Sequence, residues 1–240
     1  MKLFIIRHGD PDYANDTLTE RGWAEARLLG ERLMKENITK VFCSPLGRAQ
    51  ATAKPFLEAS GLSADTRDFL REFPRPIIEP LPELGLGAEE RRTCPWDMSP
   101  AVFSAFSDTL TDSEKWDTLP VYTKGGVDTG VREVKEKWLG LLSELGLERE
   151  GYFYRVKEGF SWEEIDRENI AVFCHMGLGS LLLSDLAHVT PPLFWQMFRV
   201  MPTSVSTVLF QRRSDGTVQT KIFSVGDTTH LAPIGLTYRG

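Results

Sequence analysis

The sequence predicts an α/β protein, a three-layer sandwich with a mostly parallel central sheet and helices on both faces. Residues 2–6 (KLFII), 40–43 (KVFC) and 170–174 (IAVFC) are short, continuously apolar runs, the pattern of strands buried on both faces. Each run leads through a loop into a segment with apolar residues at helical spacing. The 240-residue chain is 41% hydrophobic and 26% charged, which supports a sizeable core and excludes disordered or low-complexity classes.

The elements follow in order. After the first strand, residues 9–18 read as a loop rich in Gly, Pro, Asp and Asn. A helix is predicted over 20–36, with Thr19 as its N-cap and Leu18 and Trp23 as a hydrophobic staple. Its buried face would run through Trp23, Ala26, Gly30, Leu33 and Met34. The strand at 40–43 feeds a helix over 45–60, with Ser44 capping and Pro45 at the first helical position. Residues Val131, Val134, Trp138, Leu141, Leu142 and Leu145 keep the helical period over 127–145. The strand at 170–174 feeds a helix over 178–188. Strands over 204–212 and 217–225 flank Ser214-Asp215-Gly216 as a hairpin.

The chain reads as a single domain, 1–240, interrupted by an insertion at 76–125. That insertion holds six of the 14 prolines, nine acidic residues and four basic ones, so −5 of the net charge of −6 lies there. It is either a surface-packed excursion held by Trp96, Phe103, Phe106, Trp116 and Tyr122, or a lid over a site. Its charge disfavours highly anionic substrates, and its aromatics favour an aromatic or apolar leaving group.

Several function classes drop out. An acidic balance argues against a nucleic-acid partner. Three cysteines do not make a disulfide framework. No apolar run approaches the roughly 20 residues that span a bilayer, and Leu3–Ile6 is too short for a signal segment. The expectation is a soluble, cytoplasmic protein with no membrane partner. No Asp, Glu or His cluster has metal-ligand spacing, so no metal or cofactor is implied. Only four residues separate Cys43 from Arg48, one fewer than a cysteine-phosphatase loop needs. Cys43 and Cys174 therefore read as buried thiols.

Three strand ends carry the informative residues: Arg7-His8-Gly9, Ser44 to Arg48, and His175-Met176-Gly177. In α/β sheets, ligands bind beyond the carboxyl ends of the strands. Two histidines and two arginines would converge there, beside helix N-termini that favour an anion. Forked guanidinium donors match a tetrahedral phosphate. The pocket reads as a phosphate site.

Arg7-His8-Gly9 resembles the signature of the histidine phosphatase superfamily, branch 1, also called phosphoglycerate mutase-like. The resemblance extends to Leu18–Gly22, Ser44–Ala53, Cys174–Gly177 and Asp227–Leu231, covering about 1–72 and 126–232. It implies a metal-independent phosphomonoesterase that hydrolyses a small phosphorylated metabolite through a phosphohistidine. His8 would be the nucleophile, and Arg7, Arg48 and His175 would hold the phosphoryl oxygens. The acid that protonates the leaving group would be Glu72, 24 positions after Arg48, with Glu79 and Glu83 as rivals. Departures lie in the first loop: Asp10-Pro11 replaces the family's Glu or Gln followed by Thr or Ser, and Ala14 replaces an Asn, with Asn15 beside it. The alternatives are a phosphoglycerate mutase and a non-enzymatic phospho-ligand-binding protein. Against the mutase, the chain runs Glu72-Phe73-Pro74-Arg75 where that family has Arg-His-Tyr-Gly. His188 and His230 read as structural, and Thr203 or Ser204 either as a phosphate contact from the last loop or, in preference, as a turn residue.

Overall fold

A computed structural model describes residues 1–236. Eight strands form the central sheet: β1 (Lys2–Arg7), β2 (Lys40–Cys43), β3 (Ala64–Thr66), β4 (Leu147–Glu150), β5 (Phe153–Val156), β6 (Asn169–Cys174), β7 (Val205–Arg212) and β8 (Val218–Asp227). Their spatial order is β3-β2-β6-β1-β7-β8-β5-β4. Pairing is parallel from β3 to β1 and antiparallel from β1 outward, so the sheet is mixed and not mostly parallel as expected: the β7–β8 hairpin and the β4–β5 pair extend it antiparallel. The expected hairpin is β7–β8, which pairs along the β1 edge. Leu147–Glu150 (LERE) and its partner β5 carry no apolar run, which is why the sequence pattern did not mark them. Two of the parallel strands are buried as their apolar runs predict, with Leu3 to Arg7 and Ile170 to Cys174 all buried, whereas the edge strand β3 is largely exposed. Strands buried on both faces need cover on both, and this is the layered class that was expected.

The helices shift from their expected bounds for local reasons. Helix α1 (Glu20–Leu33) is N-capped by Thr19, whose side chain accepts the Gly22 N–H, and it ends three residues before 36. Its buried face runs through Gly22, Glu25, Ala26, Leu29, Gly30 and Leu33, while Trp23 is half-buried and Met34 is exposed. Gly22 sets that face: a Cβ there would lie 2.2 Å from the Asp10 carbonyl oxygen, so the helix can press against the first loop only through glycine. Helix α2 (Gly47–Ser60) starts at Gly47, with Leu46 at the N-cap making no side-chain bond. Ser44 does not cap it, because the Ser44 N–H still donates to Phe173 in the sheet register (2.9 Å). Helix α3 spans Val127–Glu144, and α4 spans Met176–Ala187, starting two residues before the expected 178. Among the described residues, no helix is long and apolar enough to cross a membrane.

The chain divides into two compact units. The first takes Met1–Glu72, Leu139–Gly179 and the chain from Val200 onward. It contains the sheet, with Phe4, Ile6, Leu29, Leu33, Phe56 and Phe173 in one core cluster. The second takes Phe73–Trp138 and Ser180–Arg199, so it is larger than the insertion at 76–125. A segment of that length buries little surface alone, and this unit builds its core by adding flanking residues such as Phe73, Val127, Val131 and Trp195. The insertion's aromatics serve this core. Trp116 and Tyr122 are buried with ring centroids 5.4 Å apart, and Trp96, Phe103 and Phe106 pack against the same cluster. Internal packing accounts for Trp116 and Tyr122, while Trp96, Phe103 and Phe106 stay partly exposed.

Candidate active site

The parallel register brings the strand ends together. Arg7 on β1 pairs with Cys174 on β6, and the His8 N–H donates to the Cys174 carbonyl (3.0 Å). His8 and His175 therefore leave adjacent strands side by side, with ring centroids 5.1 Å apart. His8 Nδ1 lies 2.8 Å from the Gly9 carbonyl oxygen. A carbonyl only accepts, so Nδ1 carries the hydrogen and Nε2 keeps its lone pair. His175 Nε2 lies 2.8 Å from the Ser44 hydroxyl, while its buried Nδ1 has no hydrogen-bond partner among the described residues.

Two guanidiniums bear on this pair. Arg7 is buried and donates from Nη1 to the Val200 carbonyl (2.8 Å). Arg48 stands at the start of α2, where its Nη1 donates to Asp16 Oδ1 (2.7 Å) and its Cζ lies 5.4 Å from the Tyr13 ring centroid. Asp16 Oδ2 also accepts the Gly47 N–H at 2.7 Å. Arg48 Nε is buried without a hydrogen-bond partner among the described residues. Burial pushes the Asp16 carboxyl up, but the Gly47 N–H and Arg48 outweigh it and hold the group below its ordinary value. His8 is pushed down to about 3, first by burial and then by Arg7 and Arg48. His175 is pushed down to about 2 by burial, then by His8, Arg48 and Arg7. Both imidazoles are neutral at neutral pH.

The three candidate carboxylates separate clearly. Glu72 accepts from the Gly177 and Leu178 N–H groups at 3.3 and 3.0 Å, so it sits at the first turn of α4, just past His175. Glu79 is buried in the second unit, bound to Arg91 and the Ser99 N–H. Glu83 is exposed in a turn. His8, His175, Arg7, Arg48 and Glu72 all belong to the first unit. Asn15 is exposed and donates to Asp12 (2.7 Å). Burial pushes the Cys43 thiol up to about 12 and the Cys174 thiol further still, so neither is a thiolate.

Sequence reasoning missed three residues here. Ser44, expected as a cap, faces His175. Thr52 accepts the Gly9 N–H (2.9 Å) and donates to the Arg48 carbonyl (2.7 Å); its i+4 spacing from Arg48 on one helix was a legible signal. Asp16 had no signal, because its role depends on a left-handed loop backbone, φ +46°, that brings it to Gly47. A Cβ on Gly47 would lie 2.1 Å from the Asp16 carbonyl oxygen, so that approach requires glycine. Chemically, two neutral imidazoles and two cations at adjoining strand and helix ends can hold a tetrahedral dianion and offer it one nucleophilic nitrogen.

Residues 3–98 match the model of the histidine phosphatase superfamily (branch 1). The protein named probable phosphoglycerate mutase GpmB in Yersinia enterocolitica is 32% identical over 101 residues, 38% of this chain and 47% of that protein. The match thus spans about half the length of that curated relative. Phosphoserine phosphatase of Entamoeba histolytica, solved with phosphoserine, superposes with a TM-score of 0.59 at 19% identity, covering 96% of this chain and 98% of its own. Mycobacterial glucosyl-3-phosphoglycerate phosphatase gives 0.56 at 18% identity, covering 93% and 97%. Residues 3–98 are thus similar to the histidine phosphatase superfamily (branch 1), and the chain has the fold of these solved phosphatases.

Proposed function

We propose that the protein is a metal-independent phosphomonoesterase acting on a small phosphorylated metabolite. One observation carries the reading: His8 and His175 lie side by side, both neutral, with Arg7 and Arg48 bearing on both and His8 Nε2 keeping its lone pair. In the proposed reaction His8 Nε2 attacks phosphorus in line, the bond to the leaving oxygen breaks, and Glu72 protonates that oxygen. Arg7, Arg48 and His175 stabilise charge on the three equatorial oxygens. Glu72 then takes a proton from water, which attacks the phosphohistidine and releases inorganic phosphate from His8. The guanidiniums supply the charge a metal would otherwise provide. The solved neighbours act on phosphoserine and glucosyl-3-phosphoglycerate by name, which supports a small phosphomonoester as the substrate class. Nucleic-acid and membrane partners are not part of this reading, and a cytoplasmic site of action is its setting.

The test is phosphate release from p-nitrophenyl phosphate with EDTA present, wild type against His8→Ala. Turnover that resists chelator and disappears in the variant is the expected result; turnover abolished by EDTA or retained by His8→Ala overturns the reading. The match to GpmB proteins favours a second reading, a phosphoglycerate mutase. That enzyme would show a stable phosphate adduct on intact-mass spectra after incubation with phosphoglycerates, with slow release of phosphate to water.

A further inference from the structure

We propose that His230 and Thr203 are positioning residues that hold the peptide of the nucleophile, an inference that rests on His8 being that nucleophile. The network has a determined polarity. Asp227 Oδ2 accepts from Arg32 Nη2 at 2.8 Å. Arg32 Nη1 lies 3.3 Å from His230 Nδ1, and a guanidinium only donates, so Nδ1 is the acceptor and Nε2 carries the hydrogen. His230 Nε2 faces Thr203 Oγ1 at 3.2 Å, and that hydroxyl passes its own hydrogen to the Pro202 carbonyl (2.8 Å). The Thr203 N–H then donates to the His8 carbonyl at 3.2 Å.

The relay has a reason to exist at Thr203. This residue is fully buried with φ +52°, a left-handed conformation that is costly for a β-branched side chain. Such strain persists only where surrounding bonds hold it, and the His230 bond to its hydroxyl is one of them. The His8–Gly9 segment is thereby fixed from two sides, by the Thr203 N–H on the His8 carbonyl and by Thr52 Oγ1 on the Gly9 N–H. Because the His8 ring bonds to the Gly9 carbonyl, a turn of either peptide rotates Nε2 away from its line of attack. Burial and Arg32 hold His230 down at about 4, against the upward pull of Asp227, so it is neutral and keeps its acceptor at neutral pH.

The experiment compares His230→Phe, which removes both bonds, with His230→Gln, which keeps an acceptor and a donor. Two readouts are taken: kcat and KM for p-nitrophenyl phosphate, and hydrogen exchange at the Thr203 amide. In His230→Phe, kcat should fall about tenfold with KM within about twofold, since misplacement of a reacting atom acts on the chemical step. Exchange at Thr203 should rise by at least about tenfold as its bond to His8 opens. His230→Gln should recover most of both. Unchanged kcat and exchange in a folded His230→Phe, or a folded His230→Gln as impaired as His230→Phe, overturns the proposal. If wild type itself shows no turnover, the phosphatase reading fails, and the exchange data alone decide whether the relay holds the His8 peptide.

Discussion

Asp16 is the residue on which the proposed phosphate grip depends most, because its carboxylate spans the Arg48 guanidinium and the first N–H of α2. Asp16→Ala should raise KM for p-nitrophenyl phosphate and lower kcat/KM about tenfold, while Asp16→Asn, which keeps one acceptor, should recover part of it. Steady-state kinetics check this, and equal values for Asp16→Ala and wild type would show that Arg48 needs no such anchor. The histidines make a second prediction. His8 and His175 are held near 3 and 2, so His8, the proposed nucleophile, stays neutral far below the ordinary histidine value. After correction for substrate ionisation, the acid limb of kcat/KM should lie well below pH 6.5. A pH–rate profile from 3.5 to 8 with a limb at 6.5 would contradict the neutral pair.

Helix α1 supports the first loop through its N-terminal turn. Thr19 caps the Gly22 N–H (3.0 Å) and donates to Asp10 Oδ2 (2.7 Å), while buried Glu25 accepts the Asp10 N–H (2.9 Å). Thr19→Ala should cost about 1 kcal/mol in urea titration, the usual loss for an N-cap. Gly22→Ala should cost at least about 1–3 kcal/mol, because the added methyl meets backbone rather than a side chain that can turn aside. Should Gly22→Ala prove neutral, the packing of α1 on the Asp10 peptide would be looser than described. Helix α2 makes the complementary point: it begins at Gly47 because Ser44 remains in the sheet register, and that delay lets one serine face His175.

For the molecule as a whole, the buried histidines link stability to pH. His8, His175 and His230 are all depressed when folded, so the unfolded chain takes up protons first as pH falls below about 6.5. Their stabilising contribution is complete above that value and is lost progressively toward their folded values. Urea midpoints should therefore fall between pH 7.5 and 5, a window above the range of ordinary carboxylates, and a flat response would refute the assignment. Inorganic phosphate should act in the opposite sense, stabilising the native state by about 2.7 kcal/mol at 100 times its Kd. Arg48→Ala should abolish most of the thermal shift it produces, whereas an undiminished shift would place the anion elsewhere.

The core half of the fold and most of the site were legible in sequence. KLFII, KVFC and IAVFC read as doubly buried strands, and the residues just past their ends were expected to gather at one edge of the sheet. His8, His175, Arg7 and Arg48 followed from that local logic. Glu72 was one of three carboxylates until backbone donors at Gly177 and Leu178 distinguished it. Asp16, Ser44 and the path from His230 through Thr203 were invisible, because each depends on a backbone conformation or a long-range bond rather than a spacing. The strand LERE was hidden because an exposed edge needs no apolar run. Periodicity and strand-end chemistry thus determined which groups come together; tertiary structure decided their orientation and protonation, since both depend on burial and on partners distant in the chain.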